Sequence, residues 1–170
     1  MRRSGVRRRS EGGVAVRLSG AERELLRSLP DQLRPILAGE QDAAGAVGRL
    51  YPPGYDEPDA EAAYRDLVGE SLVAERLDAL EAFAQTLDGG QLRGPWWTTD
   101  LDGEQADAWL SAVNDARLVL GTVLGITDET AWDLGPDDQD PTSVAIYYLG
   151  WLQEALVGAL MGGLPDVPGS

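Results

Sequence analysis

The amino-acid sequence predicts a mainly α protein, a compact orthogonal bundle of about five to six helices with room for one small two-stranded β ribbon. Three observations lead there. Apolar residues recur at three- and four-residue spacing through much of the chain. Two long apolar segments near the end read as helices. Only two short stretches read as strands, one by alternation and one by its aromatic and β-branched residues, and each runs into a helix-start signal.

Taken in order, residues 1–12 read as a disordered basic leader, 13–164 as a single helical domain and 165–170 as a disordered tail. Val14 to Leu18 alternates as a strand, and Ser19-Gly20-Ala21-Glu22 has capping-box spacing. Leu25, Leu26, Leu29, Leu33, Ile36 and Leu37 continue at helical spacing, interrupted by Pro30 and Pro35, so a kink or break is expected. A loop follows around Tyr51-Pro52-Pro53-Gly54-Tyr55. Two helical stretches are expected over residues 60–68 and 71–87, ended by Gly89-Gly90. Trp96-Trp97-Thr98-Thr99 suits a second short strand. At an offset of 83 residues, Leu18 matches Leu101, Gly20 matches Gly103, Arg34 matches Arg117 and Leu37 matches Leu120. This suggests two strands paired as a ribbon, each feeding a helix. An isolated ribbon needs helices to pack on.

The two long helices are expected over about Gly103–Gly125 and Ser143–Met161. Arg117 and Gly121 fall inside the apolar stripe of the first. The second has only Gln153 and Glu154 as strongly polar residues. A helix apolar all round is buried, spans a membrane or makes an interface. The carboxylate at its middle, the absence of flanking basic residues and the acidic lead-in Asp137, Asp138 and Asp140 speak against a span. Gly121/Gly125 and Gly158/Gly162 are spaced for close helix approach, with C-terminal capping as the plainer reading of Gly125 and Gly162. Arg117 and Glu154 each precede a glycine by one turn, which suggests an ion pair between them, within one chain or across a dimer.

Composition narrows the chemistry. The chain has 170 residues, no histidine and no cysteine, and all 14 of its basic residues are arginine. This removes the usual general base, the thiol nucleophile, the Schiff-base amine and the common zinc ligands. Neither a metal nor a cofactor is expected. The net charge is −15, but the first seventeen residues carry +5, leaving −20 for the rest. Such a body repels nucleic-acid phosphates, so any nucleic-acid contact would go through Arg7, Arg8 and Arg9. Ser10-Glu11-Gly12-Gly13 follows those arginines instead of an apolar run, which fails as an export signal. The expected location is cytoplasmic.

The segment Trp109-Leu110-Ser111-Ala112-Val113-Asn114-Asp115-Ala116-Arg117-Leu118-Val119-Leu120-Gly121, continuing to Leu124-Gly125-Ile126, resembles a signature of the actinobacterial AosR-like family, long labelled a domain of unknown function. Tyr148-Leu149-Gly150-Trp151-Leu152-Gln153-Glu154-Ala155-Leu156, Arg49-Leu50-Tyr51-Pro52 with Tyr55, and Gly13–Leu26 support it. The resemblance implies a small cytoplasmic protein. The family includes an oxidative-stress transcriptional regulator that partners an alternative sigma factor through a redox-active cysteine pair. This chain has no cysteine, so redox sensing by that route is excluded here.

The leading functional expectation is a non-enzymatic protein-interaction module associated with transcription. Its partner would be a sigma factor or another RNA polymerase component, or a second copy through the Val144–Met161 helix. Trp109, Asn114, Asp115, Arg117, Trp151 and Glu154 are the binding or structural candidates. Trp96, Trp97, Trp132 and Trp151 offer aromatic anchors, against core packing as the default role of each. A carboxylate enzyme built on Asp100, Asp102 and Glu104, or on Asp137, Asp138 and Asp140, is one alternative, although acids at helix starts are ordinary caps. Direct nucleic-acid binding by the N-terminal arginines is the other.

Overall fold

The computed structural model describes residues 3–125 and 139–162. Ile126, Trp132, Asp137, Asp138 and the tail at 165–170 lie outside the described residues. The mainly α expectation is overturned. The chain forms a mixed α+β fold around a four-stranded antiparallel sheet of order β1-β2-β4-β3. The strands are β1 (Gly5–Arg8), β2 (Val14–Ser19), β3 (Gln91–Arg93) and β4 (Trp96–Leu101). The helices are α1 (Gly20–Arg27), α2 (Leu29–Leu37), α3 (Ala46–Leu50), α4 (Pro58–Asp88), α5 (Gly103–Val123) and α6 (Pro141–Met161).

The ribbon inferred from the 83-residue echo is the centre of this sheet. β2 and β4 pair antiparallel from Val14↔Leu101 to Ser19↔Trp96. Each is extended outward by its own hairpin partner, β1 on β2 and β3 on β4. Residues 5–8, expected within a disordered leader, therefore form an edge strand. The physical reason is backbone pairing. Val6 sits opposite Val16 and packs on the core, while Arg7 and Arg8 are exposed. Charged residues on an edge strand also discourage pairing with another chain. The return into β2 depends on Gly13, whose φ is 77° and whose added Cβ would lie 2.0 Å from the Leu101 carbonyl oxygen.

Each central strand runs directly into a capped helix. The Ser19 side chain accepts from the Glu22 N–H, and the Glu22 carboxylate accepts from the Ser19 N–H. Asp102 and Gln105, 83 residues on, repeat the same reciprocal pair. The N-terminal helix breaks at Ser28, one residue before α2, and the equivalent α5 runs unbroken for 21 residues. Pro30 at the start of α2 explains the difference, because its ring and missing N–H forbid a continuous helix. The two stretches expected over 60–68 and 71–87 merge into the single 31-residue α4.

The core lies between one sheet face and the helices. Val14, Val16, Leu18, Trp97 and Leu101 point inward from β2 and β4. Trp109 on α5 is fully buried at the centre, edge-on to Phe83 of α4 at 4.9 Å, and its indole N–H donates to the Thr86 hydroxyl at 2.6 Å. Ile146, Leu149, Leu152 and Leu156 bury one side of α6. Among the described residues, the opposite sheet face lines a concavity instead of packing into the core.

The two caps lie at opposite ends of a six-residue ladder, roughly 17 Å apart. Ser19→Ala and Asp102→Ala are each expected to cost about 1 kcal/mol. The double substitution should cost the sum, as chemical denaturation would measure. Strongly non-additive losses would contradict two independently capped helices.

Candidate functional site

The family-like signature folds into a buried knot around α5. Asp115 is 1 % exposed and pairs with Arg76 of α4. The Arg76 guanidinium also donates to the Leu50 carbonyl at 2.9 Å and stands over the Tyr51 ring at 5.2 Å. The Tyr51 hydroxyl in turn donates to the Leu37 carbonyl at 2.8 Å, and the Tyr51 carbonyl accepts from Arg65. Arg49 donates to Thr122 at 3.2 Å. One arginine, Arg76, thus joins the end of α3 to α4 and α5. Burial raises the Asp115 carboxyl above the ordinary range, with the neighbouring Arg76 charge pulling the other way. Burial likewise raises the Tyr51 phenol.

Arg117 anchors the next helix. It donates to the Gln153 side chain of α6 at 2.6 Å. Its guanidinium lies against Gly150, where an added Cβ would come within 3.4 Å. The charge expected to meet Glu154 is thus aimed at the residue before it, and Glu154 itself is exposed. A step of one residue turns a helix by about 100°, so the neighbour of the expected partner occupies the facing side. Asn114 is exposed, beside the buried Asp115. Trp109, Asp115 and Arg117 therefore sit in the fold's framework, where α5 meets α4 and α6.

Two surfaces remain. The first is the outer side of α6. Val144, Trp151, Val157 and Met161 are exposed there, with Trp151 at 41 % and Met161 at 57 %. Trp151 stacks on Tyr148 at 5.7 Å. Burial raises the Tyr148 phenol, and its hydroxyl has no hydrogen-bond partner among the described residues. Gly158 faces open space, so the close approach expected from its glycine spacing is not made at this position within the chain. By length and composition α6 could cross a membrane, with a mean hydropathy of 1.3 over its most apolar window, of which 28 % is buried.

The second surface is the open sheet face. A concavity of 830 Å³ is lined by Arg3, Arg7, Arg17, Arg93, Gln91, Trp96 and Thr98 among others. Arg17 stands over the Trp96 ring at 5.3 Å and donates to the Arg3 carbonyl. Of the basic trio expected to act together, Arg7 points to this face. Arg8, one residue on, has the opposite pleat. Arg9 forms 3.7 Å ion pairs with Glu11 and Asp100. Arg7 and Trp96 are separate candidates in the sequence, but only strand pairing joins them with Arg17 and Arg93 on one face.

Of the acids weighed for chemistry, the four among the described residues have structural work. Asp102 and Asp140 are N-caps, Asp100 pairs with Arg9, and Glu104 lies in the first turn of α5. Among the described residues no group of three or more carboxylates could hold a metal ion.

Removing Arg76 strands a buried carboxylate. Arg76→Leu is expected to destabilise the protein by about 3–5 kcal/mol at neutral pH. Without the cation the Asp115 carboxyl rises further, so its ionised form is what destabilises the variant. The difference from wild type should therefore shrink as pH falls and the carboxyl protonates. Denaturant titrations at neutral and mildly acidic pH test this, and a small or pH-independent difference would contradict it.

No curated protein and no solved structure matches the chain. A family model, a domain of unknown function (DUF2017), matches residues 1–160. With the model spanning both hairpins and nearly all of α6, the chain belongs to the DUF2017 family.

Proposed function

We propose that the protein is a non-enzymatic interaction module that docks a protein partner on the outer side of α6. In this reading it works in transcription as an AosR-like protein without cysteine-based redox control. The partner is a sigma factor or another RNA polymerase component, met in the cytoplasm. The supporting observation is the exposed apolar stripe through Val144, Trp151 and Met161, with Gly158 uncovered beside it. An interior helical glycine costs roughly 1 kcal/mol relative to alanine, and close approach by a partner helix would offset that. Trp151 is the anchor, since large aromatics dominate interface energies.

Charge favours a basic partner. The chain carries −15, and Glu154 stands in the exposed stripe. A basic polymerase or sigma-factor surface complements that field and speeds encounter. A second copy of this chain fits less well, because two acidic bodies repel and the Glu154 carboxylates would be drawn toward each other. The absence of His and Cys and the capping roles of Asp102 and Asp140 support a binding role over a catalytic one.

Capture from an extract of the native host tests the reading, with wild type and Trp151→Glu immobilised side by side. A sigma factor or polymerase subunit should be enriched on wild type, weakened by raised salt and reduced at least about thirtyfold by the substitution, equivalent to about 2 kcal/mol. Enrichment of no polymerase component, or equal enrichment on a folded Trp151→Glu protein, would overturn it.

A further inference from the structure

The open face of the sheet places several cations and one aromatic ring in a single concavity on an otherwise acidic protein. Strand register explains how. Arg17, Thr98 and Gln91 stand in one row across β2, β4 and β3. Trp96 and Arg93 stand in the next. Arg7 reaches the same face from β1, opposite Ala15. The face is about 14 Å across four strands. Its concavity measures 830 Å³. Arg7 and Arg93 are exposed and have no ion-pair partner among the described residues. The carboxylate on this face, Asp100, is held by Arg9.

We propose that this face binds a nucleoside polyphosphate, with the base against Trp96 and the phosphates on the guanidinium groups of Arg7, Arg17 and Arg93. Guanidinium groups bind phosphate oxygens through paired, charge-assisted N–H donors. Arg17 is already held in place, against the Trp96 ring and the Arg3 carbonyl. Gln91 and Thr98 supply amide and hydroxyl groups for the sugar or base edge.

The balance of groups selects this ligand over other polyanions. A nucleic-acid strand needs a stacking platform for each base in turn. This face offers one ring, Trp96, beside four arginines, Arg3, Arg7, Arg17 and Arg93. A long strand would also run onto the acidic remainder of the chain. An acidic peptide would use the arginines but has no use for an aromatic platform. A single base carrying several phosphates uses both. This surface is separate from the outer side of α6, so the inference does not depend on the docking reading above.

Isothermal titration of the full chain with GTP and with ATP at low salt tests the assignment. The expected result is one site with a Kd below about 1 mM, weaker for GMP than for GTP because fewer phosphates are held. Arg7→Ser and Arg93→Ser should each weaken binding at least about tenfold, and Trp96→Ala similarly. Arg34→Ser, a change of equal charge on α2 where the side chain pairs with Asp31 and Glu81, should leave it unchanged. The edge-exposed arginines keep the test decisive if Trp96→Ala fails to fold. No heat with either triphosphate, equal loss in Arg34→Ser, or equal affinity for GMP would overturn the proposal. So would an oligothymidine strand or a glutamate-rich peptide that binds more tightly and resists displacement by GTP.

Discussion

Pairing of Val14–Ser19 with Trp96–Leu101 brings a hairpin from the chain's start against one from its middle, and the remaining architecture depends on that ladder. Both strands bury alternate residues on one face, so a shift of one residue would turn Val14, Val16 and Leu18 outward. Their antiparallel register sends α1 and α5 off opposite ends. Each helix starts with a reciprocal cap at once, so neither strand can lengthen without unmaking a cap.

On this frame, α5 acts as the central post. Trp109 faces α4, Asp115 draws Arg76 and the end of α3 inward, and Arg117 receives Gln153 and Gly150 from α6. The family-like segment is thus explained by what it holds together. Buried ion pairs contribute little net stability compared with apolar packing, but they penalise wrong arrangements strongly. Asp115 and Arg76 can therefore be read as setting how three helices meet. The two surfaces proposed for binding, the outer side of α6 and the open sheet, lie outside this knot.

Much of this was legible from local pattern. Alternation marked β2, aromatic and β-branched residues marked part of β4, and apolar spacing marked α5 and α6 within two residues. The 83-residue echo marked the pairing itself. What escaped was non-local. β1 contains one apolar residue, Val6, among arginines and glycine, so no periodicity betrays a strand that exists because β2 offers it hydrogen bonds. The three-residue β3 and the five-residue α3 are too short for any period to register. Arg76 and Asp115 lie 39 positions apart, and only the crossing of α4 with α5 brings them together. Arg117 was expected to meet Glu154 because spacing gives a helix face without the rotation of the facing helix. The arginine-lined concavity was invisible for the same reason as β1, since it is assembled from residues on four strands.

The cysteine-free chain allows the central ladder to be tested by cross-linking. Cysteines introduced in place of Ala15 and Asp100 face each other across β2 and β4, within reach of a disulfide. Mild oxidation should close that pair within one folded chain and leave Ala15→Cys with Thr98→Cys largely open, because Thr98 pairs with Arg17. Equal closure of both pairs, or of neither, would contradict the register from which the fold and both proposed surfaces follow.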